Sequence, residues 1–372
     1  MIFHNPVEII FGEKCRNKIL IECKDKNVIL FCSSTAHKRF EKDENLRNLF
    51  SMPNVSIEYG FSSNPSIDEI ESLTKKYKYN NAQLFIGIGG GSAMDVTKIL
   101  SATVPAYKKN INLEDLLQNE NLFKNFKNIN TILVPTTAGT GSEVTPFATI
   151  WDFNQKKKKS LSSQYMYAKK AFIDPDFLIN TPKEISLTTG LDALNQAFES
   201  IWNKNANSIT TSIAINASKV LLTSLPQIDN INNNKTIRNN LMLGSVLAGM
   251  AISQTRTSIC HSISYPLTIK HDIDHGLACA FSMIAVYKFN KPYIEDSIKE
   301  ISTYLNEDPL KVIAEIFENH KVHNKLKSKL PDIKIFTSQI DEFIAEGRFD
   351  NNIIECKPSN LKKIIIESFK AL

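Results

Sequence analysis

Four residues in the second half of the chain are of types that bind a divalent metal: Asp192, Gln196, His261 and His275. Asp192 and Gln196 stand four apart in T-T-G-L-D-A-L-N-Q-A-F-E-S (Thr188 to Ser200), so on a helix they share a face. The histidines fall in C-H-S-I-S-Y-P-L-T-I-K-H-D-I-D-H-G (Cys260 to Gly276). Two imidazoles and a carboxylate from separate segments could close on one ion. Glu199, seven residues after Asp192, shares its face. It could orient a ligand through a hydrogen bond, or sit as a plain buried-rim glutamate. His271 and Asp274 lie between the two histidines and could line a pocket, although a solvated loop is the plainer reading. Lys270 and His271 together could add positive charge for an anionic substrate. His4, His37, His320 and His323 have no partner pattern and are expected to be structural.

The first half carries nucleotide chemistry. The apolar run L-F-I-G-I (Leu84 to Ile88) leads into Gly89-Gly90-Gly91-Ser92 and then a helical pattern from about Ala93. Glycines let the backbone turn tightly and approach a ligand without Cβ clashes. The free N–H groups and positive end of the following helix suit a pyrophosphate. The pattern is not G-x-G-x-x-G, and glycine turns after strands also serve packing alone. A second segment, P-T-T-A-G-T-G-S-E-V-T (Pro135 to Thr145), puts four threonines and a serine beside two glycines after a strand end. Hydroxyls and bare backbone there can hydrogen-bond a ligand in the crevice of a parallel sheet. A polar turn with helix caps explains one or two of those residues but not the whole run. The run Lys156 to Lys159 reads as a solvated turn, although Lys158 could reach a cofactor phosphate.

These residues need a scaffold, and the apolar pattern supplies one. Val7–Phe11, Asn27–Cys32, Val55–Tyr59, Leu84–Ile88 and Thr131–Val134 read as strands. Ser33-Ser34-Thr35 could cap a helix, and Ser66–Tyr79 has helical spacing. Alternating strands and helices argue for a doubly wound α/β domain. From about Pro182 onward the periodicity is helical, over Leu191–Trp202, Ser208–Leu222, Thr236–Ile252 and Gly276–Phe289. Ile298–Tyr304, Leu310–Asn319 and Leu361–Phe369 follow the same pattern. The expected organisation is an α/β nucleotide-binding domain over residues 1–180, Rossmann-like with a parallel sheet. An all-α domain over 181–372 carries the metal and substrate.

Composition agrees. A chain of 372 residues exceeds what one core usually holds. With 42% hydrophobic and 22% charged residues it is an ordinary globular sequence. The net charge of +5 comes with no aromatic-interleaved basic stripe, so nucleic acid is not expected; a mild positive field suits an anionic small molecule. The six cysteines form no C-x-x-C pair and read as buried thiols in a reducing compartment. No signal peptide and no uninterrupted apolar run of about 18 residues is visible, so a cytoplasmic protein without a membrane span is expected. A homodimer is compatible with the sequence, which does not fix the oligomeric state.

The motifs together resemble the iron-containing (group III metal-dependent) alcohol dehydrogenase family. The resemblance runs from N-P-V-E-I-I-F-G at Asn5 through N-P-S-I-D, G-G-G-S-A-M-D-V-T-K, P-T-T-A-G-T-G-S-E-V-T, I-D-P and G-L-D-A-L. It ends at H-S-I-S-Y-P-L and D-H-G. It implies that a metal, Fe2+ or Zn2+, and an NAD(P) nicotinamide meet between the two domains. By position, Gly90, Gly91 and Ser92 would hold the pyrophosphate, with Asp95 close by. Thr136, Thr137, Thr140 and Ser142 would line the rest of the cofactor. The metal ligands would be Asp192, Gln196, His261 and His275.

Four residues depart from the family pattern. Gln196 stands where the family usually has His, and an amide oxygen is a neutral, weaker ligand. Tyr265 stands where many relatives have a His near the substrate that helps relay a proton; a tyrosine hydroxyl has an unperturbed pKa of about 10. Ser33 stands where many NAD-using relatives carry an Asp that bonds the adenosine ribose. Serine lifts the repulsion of a 2′-phosphate, which favours NADP(H) over NAD(H). Arg256, five residues before His261, replaces a small residue. It reads either as a surface or interface arginine or as a clamp for phosphate, phosphonate or carboxylate.

Gln196, Arg256 and Tyr265 together look like the branch that reduces phosphonoacetaldehyde to 2-hydroxyethylphosphonate. The expected reaction is hydride transfer to a small anionic aldehyde. Arg256 fixes the anionic end, and Tyr265, His271 or water supplies the proton. A general aldehyde reductase acting on neutral short-chain substrates is one alternative. A nucleotide-binding member without turnover is another, and a lyase related to dehydroquinate synthase is a third; the G-L-D-A-L and T-A-G-T-G-S-E segments favour the dehydrogenase side. Ser33→Asp should shift the kcat/KM ratio towards NADH, and an unchanged ratio would remove the basis for the NADP(H) preference.

Overall fold

The computed structural model describes residues 2–155, 157–330, 332–345 and 347–372. They divide into two compact units. One is Asn5–Thr137 with Ser142–Phe177; the other is the N-terminal residues through His4, Ala138–Gly141 and Leu178–Leu372.

Among the described residues the first unit has eight strands: β1 (Glu8–Phe11), β2 (Val28–Cys32), β3 (Val55–Glu58), β4 (Leu84–Gly89), β5 (Asn130–Pro135), β6 (Phe147–Asp152), β7 (Lys157–Ser162) and β8 (Lys170–Ile173). Six form a sheet in the order β1-β8-β5-β4-β2-β3, with every neighbouring pair parallel. β2 and β4 are buried at every position, as their unbroken apolar runs require. The order reverses between β2 and β4, and such a switch point is where open α/β sheets bind ligands, beyond the carboxyl ends of the strands. Ser33 follows β2, and Gly90 follows β4. The α/β architecture expected from the sequence is therefore present.

Each connection has a local cause. Ser33 caps α1 (Ser34–Phe40), its Oγ accepting from the Ala36 amide at 3.2 Å. Ser66 caps α2 (Ile67–Tyr77) in the same way at 3.1 Å. Gly90 is the N-cap of α3 (Gly91–Tyr107), which packs over β4 and β5. That packing is close because Gly87 has no side chain; a Cβ there would come within 2.5 Å of Thr97 Oγ1.

The hairpin β6–β7 corrects one expectation. Lys157, Lys158 and Lys159 are strand residues rather than a solvated turn, and Lys156 lies outside the described residues. Lys159 pairs with Asp152 at 2.9 Å, and the Lys158 ammonium lies 5.6 Å from the centre of the Trp151 ring across the strands. Lysine side chains masked the strand signal; Leu161 is its one fully apolar buried position.

The second unit is helical. It includes α4 (Lys183–Ile201), α5 (Ser208–Ser224), α6 (Lys235–Thr255), α7 (Ile259–His271), α8 (His275–Asn290) and α9 (Pro358–Lys370). α4 packs against α5, α6 and α8, and α8 against α7 and α9. α8 is buried almost all round, as an apolar sequence without a polar face must be. α4 starts a full two turns before the expected Leu191. The Thr188 and Thr189 hydroxyls bond back to the Ile185 carbonyl, and Gly190 makes room for Leu225. α7 gave no helical signal because Pro266 lies inside it. All six cysteines are buried and free. No helix among the described residues is long and apolar enough to cross a membrane.

Lys98, fully buried on α3, ties the loop after β5 to the sheet. Its ammonium reaches the carbonyls of Ser142 (2.9 Å), Thr145 (3.3 Å) and Phe147, and lies 3.5 Å from Asp95. Removing one partner from a buried charge network costs about 3–5 kcal/mol. Lys98→Ala should lower the unfolding free energy by about that amount in urea titration; a loss no larger than that of an exposed lysine variant would contradict the role.

Candidate metal centre and nucleotide loops

α4, α7 and α8 bring together the residues that the sequence kept apart. The donor atoms of Asp192, His261, His275 and Cys279 all lie within 4.8 Å of one another. His261 Nε2 is 3.2 Å from Asp192 Oδ1. On the other side of the ring, His261 Nδ1–H donates to Glu199 Oε2 at 2.5 Å. The second Glu199 oxygen accepts from the His261 backbone amide at 3.2 Å and the Ser258 hydroxyl at 3.3 Å. Glu199 is fully buried. It is therefore the orienting partner of His261 and not a rim residue: with Nδ1 held, Nε2 faces the cluster.

The electrostatics suit a cation. Burial alone would lower the His261 pKa, but Cys279, Glu199 and Asp192 outweigh it and hold it well above the ordinary imidazole value. The donor types are those that ligate Fe2+ or Zn2+. The residues present thus fit a divalent metal.

α8 reaches this position because Gly276 has no side chain. A Cβ there would overlap the Thr188 carbonyl oxygen at 1.8 Å. Gln196 is 3% exposed, and its Oε1 has no hydrogen-bond partner among the described residues. Tyr265 on α7 stacks on His275 with ring centres 6.3 Å apart. His271 ends α7 and stacks on Phe336 at 5.8 Å; it is packed and helical rather than part of a solvated loop. Burial and the neighbouring Lys270 lower its pKa. Lys270 itself pairs with Glu342 at 2.5 Å.

Arg256 is the C-cap of α6, just before α7, with φ 66° and ψ 179°. That conformation is close to glycine-only and costs of order 1–3 kcal/mol for a side-chain-bearing residue. Its amide donates to Ile252, and its carbonyl accepts from Asn203 and Thr255.

In the first unit the glycine loop lies at the carboxyl end of β4. Gly90 faces Thr137, 3.5 Å from a hypothetical Cβ to the Thr137 hydroxyl. Thr136 N–H donates to the Gly89 carbonyl at 2.9 Å. The Ser92 hydroxyl donates to the Ser63 carbonyl. Asp95 accepts from the Ser142 hydroxyl at 2.6 Å and from the Thr149 amide at 2.8 Å, so these two residues brace the loop. Glu143 is buried beside them, and burial pushes its carboxyl up to about 7 against the pull of Lys98. Thr140 belongs with the helical unit, where Gly139 and Gly141 pack closely on Thr189 and Gly249. Sequence reasoning missed Lys98 and Cys279. The second was legible, since H-x-x-x-C on a helix puts both side chains on one face.

Comparison with known proteins places this arrangement. A family model for iron-containing alcohol dehydrogenase matches residues 6–175, and one for the C-terminal part of the Fe-containing alcohol dehydrogenase family matches residues 186–368. The sulfoacetaldehyde reductase of Bilophila wadsworthia is 34% identical over 225 residues, 58% of this chain and 55% of that protein. The phosphonoacetaldehyde reductase of Streptomyces viridochromogenes is 28% identical over 225 residues, 60% of this chain and 57% of that protein. The chain thus aligns with less than two thirds of the length of either. The crystal structure of an iron-containing alcohol dehydrogenase from Thermotoga maritima is 26% identical, with a TM-score of 0.85 and 99% of both chains covered. On two consecutive family matches that span most of its length, the chain belongs to the iron-containing alcohol dehydrogenase family.

Proposed function

We propose that the protein is a metal-dependent reductase that uses NADP(H) to convert a small anionic aldehyde into its alcohol, with phosphonoacetaldehyde as the leading substrate. When bound, the divalent metal supplies Lewis acidity towards the aldehyde oxygen and the nicotinamide supplies the hydride. The chain's own residues do the rest. Asp192, His261 and His275 hold the metal, and Glu199 fixes the tautomer of His261. Backbone N–H groups at Gly90, Gly91 and Ser92 receive the pyrophosphate at the start of α3. The Tyr265 hydroxyl, whose ring stacks on His275, gives the proton that completes the alcohol, and water replaces it. His271, packed on Phe336 with its pKa lowered by burial and by Lys270, stays neutral near pH 7 and adds no charge to the site.

Arg256 carries the substrate class. A guanidinium held at a conformation that glycine would adopt more cheaply is a side chain kept at a cost in stability. Its forked donors match a tetrahedral oxyanion. Two relatives support this by name, since phosphonoacetaldehyde and sulfoacetaldehyde both carry such a group next to the aldehyde. The higher identity of the sulfoacetaldehyde reductase favours sulfoacetaldehyde as the second substrate reading. The Ser33 side chain after β2, which brings no carboxylate, supports NADP(H).

Hydrogen bonds to a charged group are worth about 1.5–3 kcal/mol, or roughly 10- to 100-fold. Arg256→Ala should raise KM for phosphonoacetaldehyde by about that factor and leave KM for propanal nearly unchanged. Equal effects on the two aldehydes would contradict the clamp.

A further inference from the structure

Helix α8 carries a second metal-type donor one turn after His275. Cys279 is fully buried, and its Sγ lies 3.9 Å from His275 Nε2. Donor atoms around a tetrahedral metal are about 3.3–3.6 Å apart, given bonds of about 2.0–2.3 Å. The Asp192–His261 distance of 3.2 Å and the His275–Cys279 distance of 3.9 Å bracket that value. α4 and α8 each offer two residues four apart: Asp192 with Gln196, and His275 with Cys279. Gln196 offers a neutral amide oxygen, buried and without a hydrogen-bond partner among the described residues. Cys279 offers sulfur, which as thiolate carries a full charge and is the stronger donor.

We propose that the Cys279 thiolate is the fourth protein ligand of the metal, in place of Gln196, and that it tilts the site towards Zn2+. This rests on the reading of Asp192, His261 and His275 as metal ligands. On binding, the thiol proton leaves to solvent and a sulfur–metal bond forms, with no change of oxidation state. Asp192 and Cys279 then bring two negative charges to a divalent ion. The metal set is neutral overall, where one carboxylate with three imidazoles would leave a positive charge. Attraction for an anionic substrate must then come from outside the set, and Arg256 supplies it.

Cobalt(II) reports the ligand directly, because thiolate coordination adds an intense near-ultraviolet charge-transfer band to its visible spectrum. The full-length protein is stripped of metal and titrated with Co2+, alongside Cys279→Ser, Gln196→Ala and Asp192→Ala. The expected result is one cobalt per chain with the band in wild type and in Gln196→Ala. Cys279→Ser should lose the band and bind cobalt at least about 10-fold more weakly. The wild-type spectrum decides even if the serine variant does not fold. Bound cobalt without the band, or Cys279→Ser binding as tightly as wild type, overturns the thiolate ligand and leaves the metal site standing. No cobalt bound by wild type, or undiminished binding by Asp192→Ala, overturns both.

Discussion

Glu199 against His261 is the contact on which the helical unit depends. A buried carboxylate is tolerable only when its charge is met, and here it accepts from an imidazole, a backbone amide and a hydroxyl. Those bonds fix α7 against α4 and set the direction of the His261 ring. Asp192 then meets the free nitrogen of that ring, and α8 can approach only because Gly276 leaves the Thr188 carbonyl clear. The site is a knot of negative and neutral donors with a field that favours positive charge. A divalent cation answers that field.

The nucleotide half is organised by the opposite sign. Lys98 is the buried cation, and the loop from Ser142 to Phe147 wraps its carbonyls around it. Asp95, Ser142 and Thr149 close the same network. Residues that look like ligand contacts in a linear motif therefore stiffen the loop. Gly90, Gly91 and Thr137 stand at its edge, beside the amino end of α3. Rigidity at that point suits a site built from backbone N–H groups, because it removes reorganisation on binding.

Much of this was legible in the sequence. The buried strands announced themselves as apolar runs, and the metal residues by type and spacing. Other features were not. β7 was hidden because three consecutive lysines stand where alternating apolar and polar residues would mark a strand. α7 was hidden by Pro266, although its packing on α8 outweighs the lost hydrogen bond. The positive φ at Arg256 left no mark in the sequence, because a residue that is not glycine gives no local sign of that backbone conformation. Each of these is set by tertiary contact rather than local preference. Glu199 was undecided in the sequence for the same reason: seven residues of spacing give a face, but only the approach of α7 gives that face a partner.

The anionic-substrate proposal is tested most directly by the kcat/KM of the metal-loaded wild-type enzyme for phosphonoacetaldehyde and for propanal with NADPH, with metal content determined on the same sample. A site that binds a charged head group should prefer the phosphonate by about 10- to 100-fold. Equal rates for the two aldehydes, or no NADPH consumption with either at full metal occupancy, would contradict it.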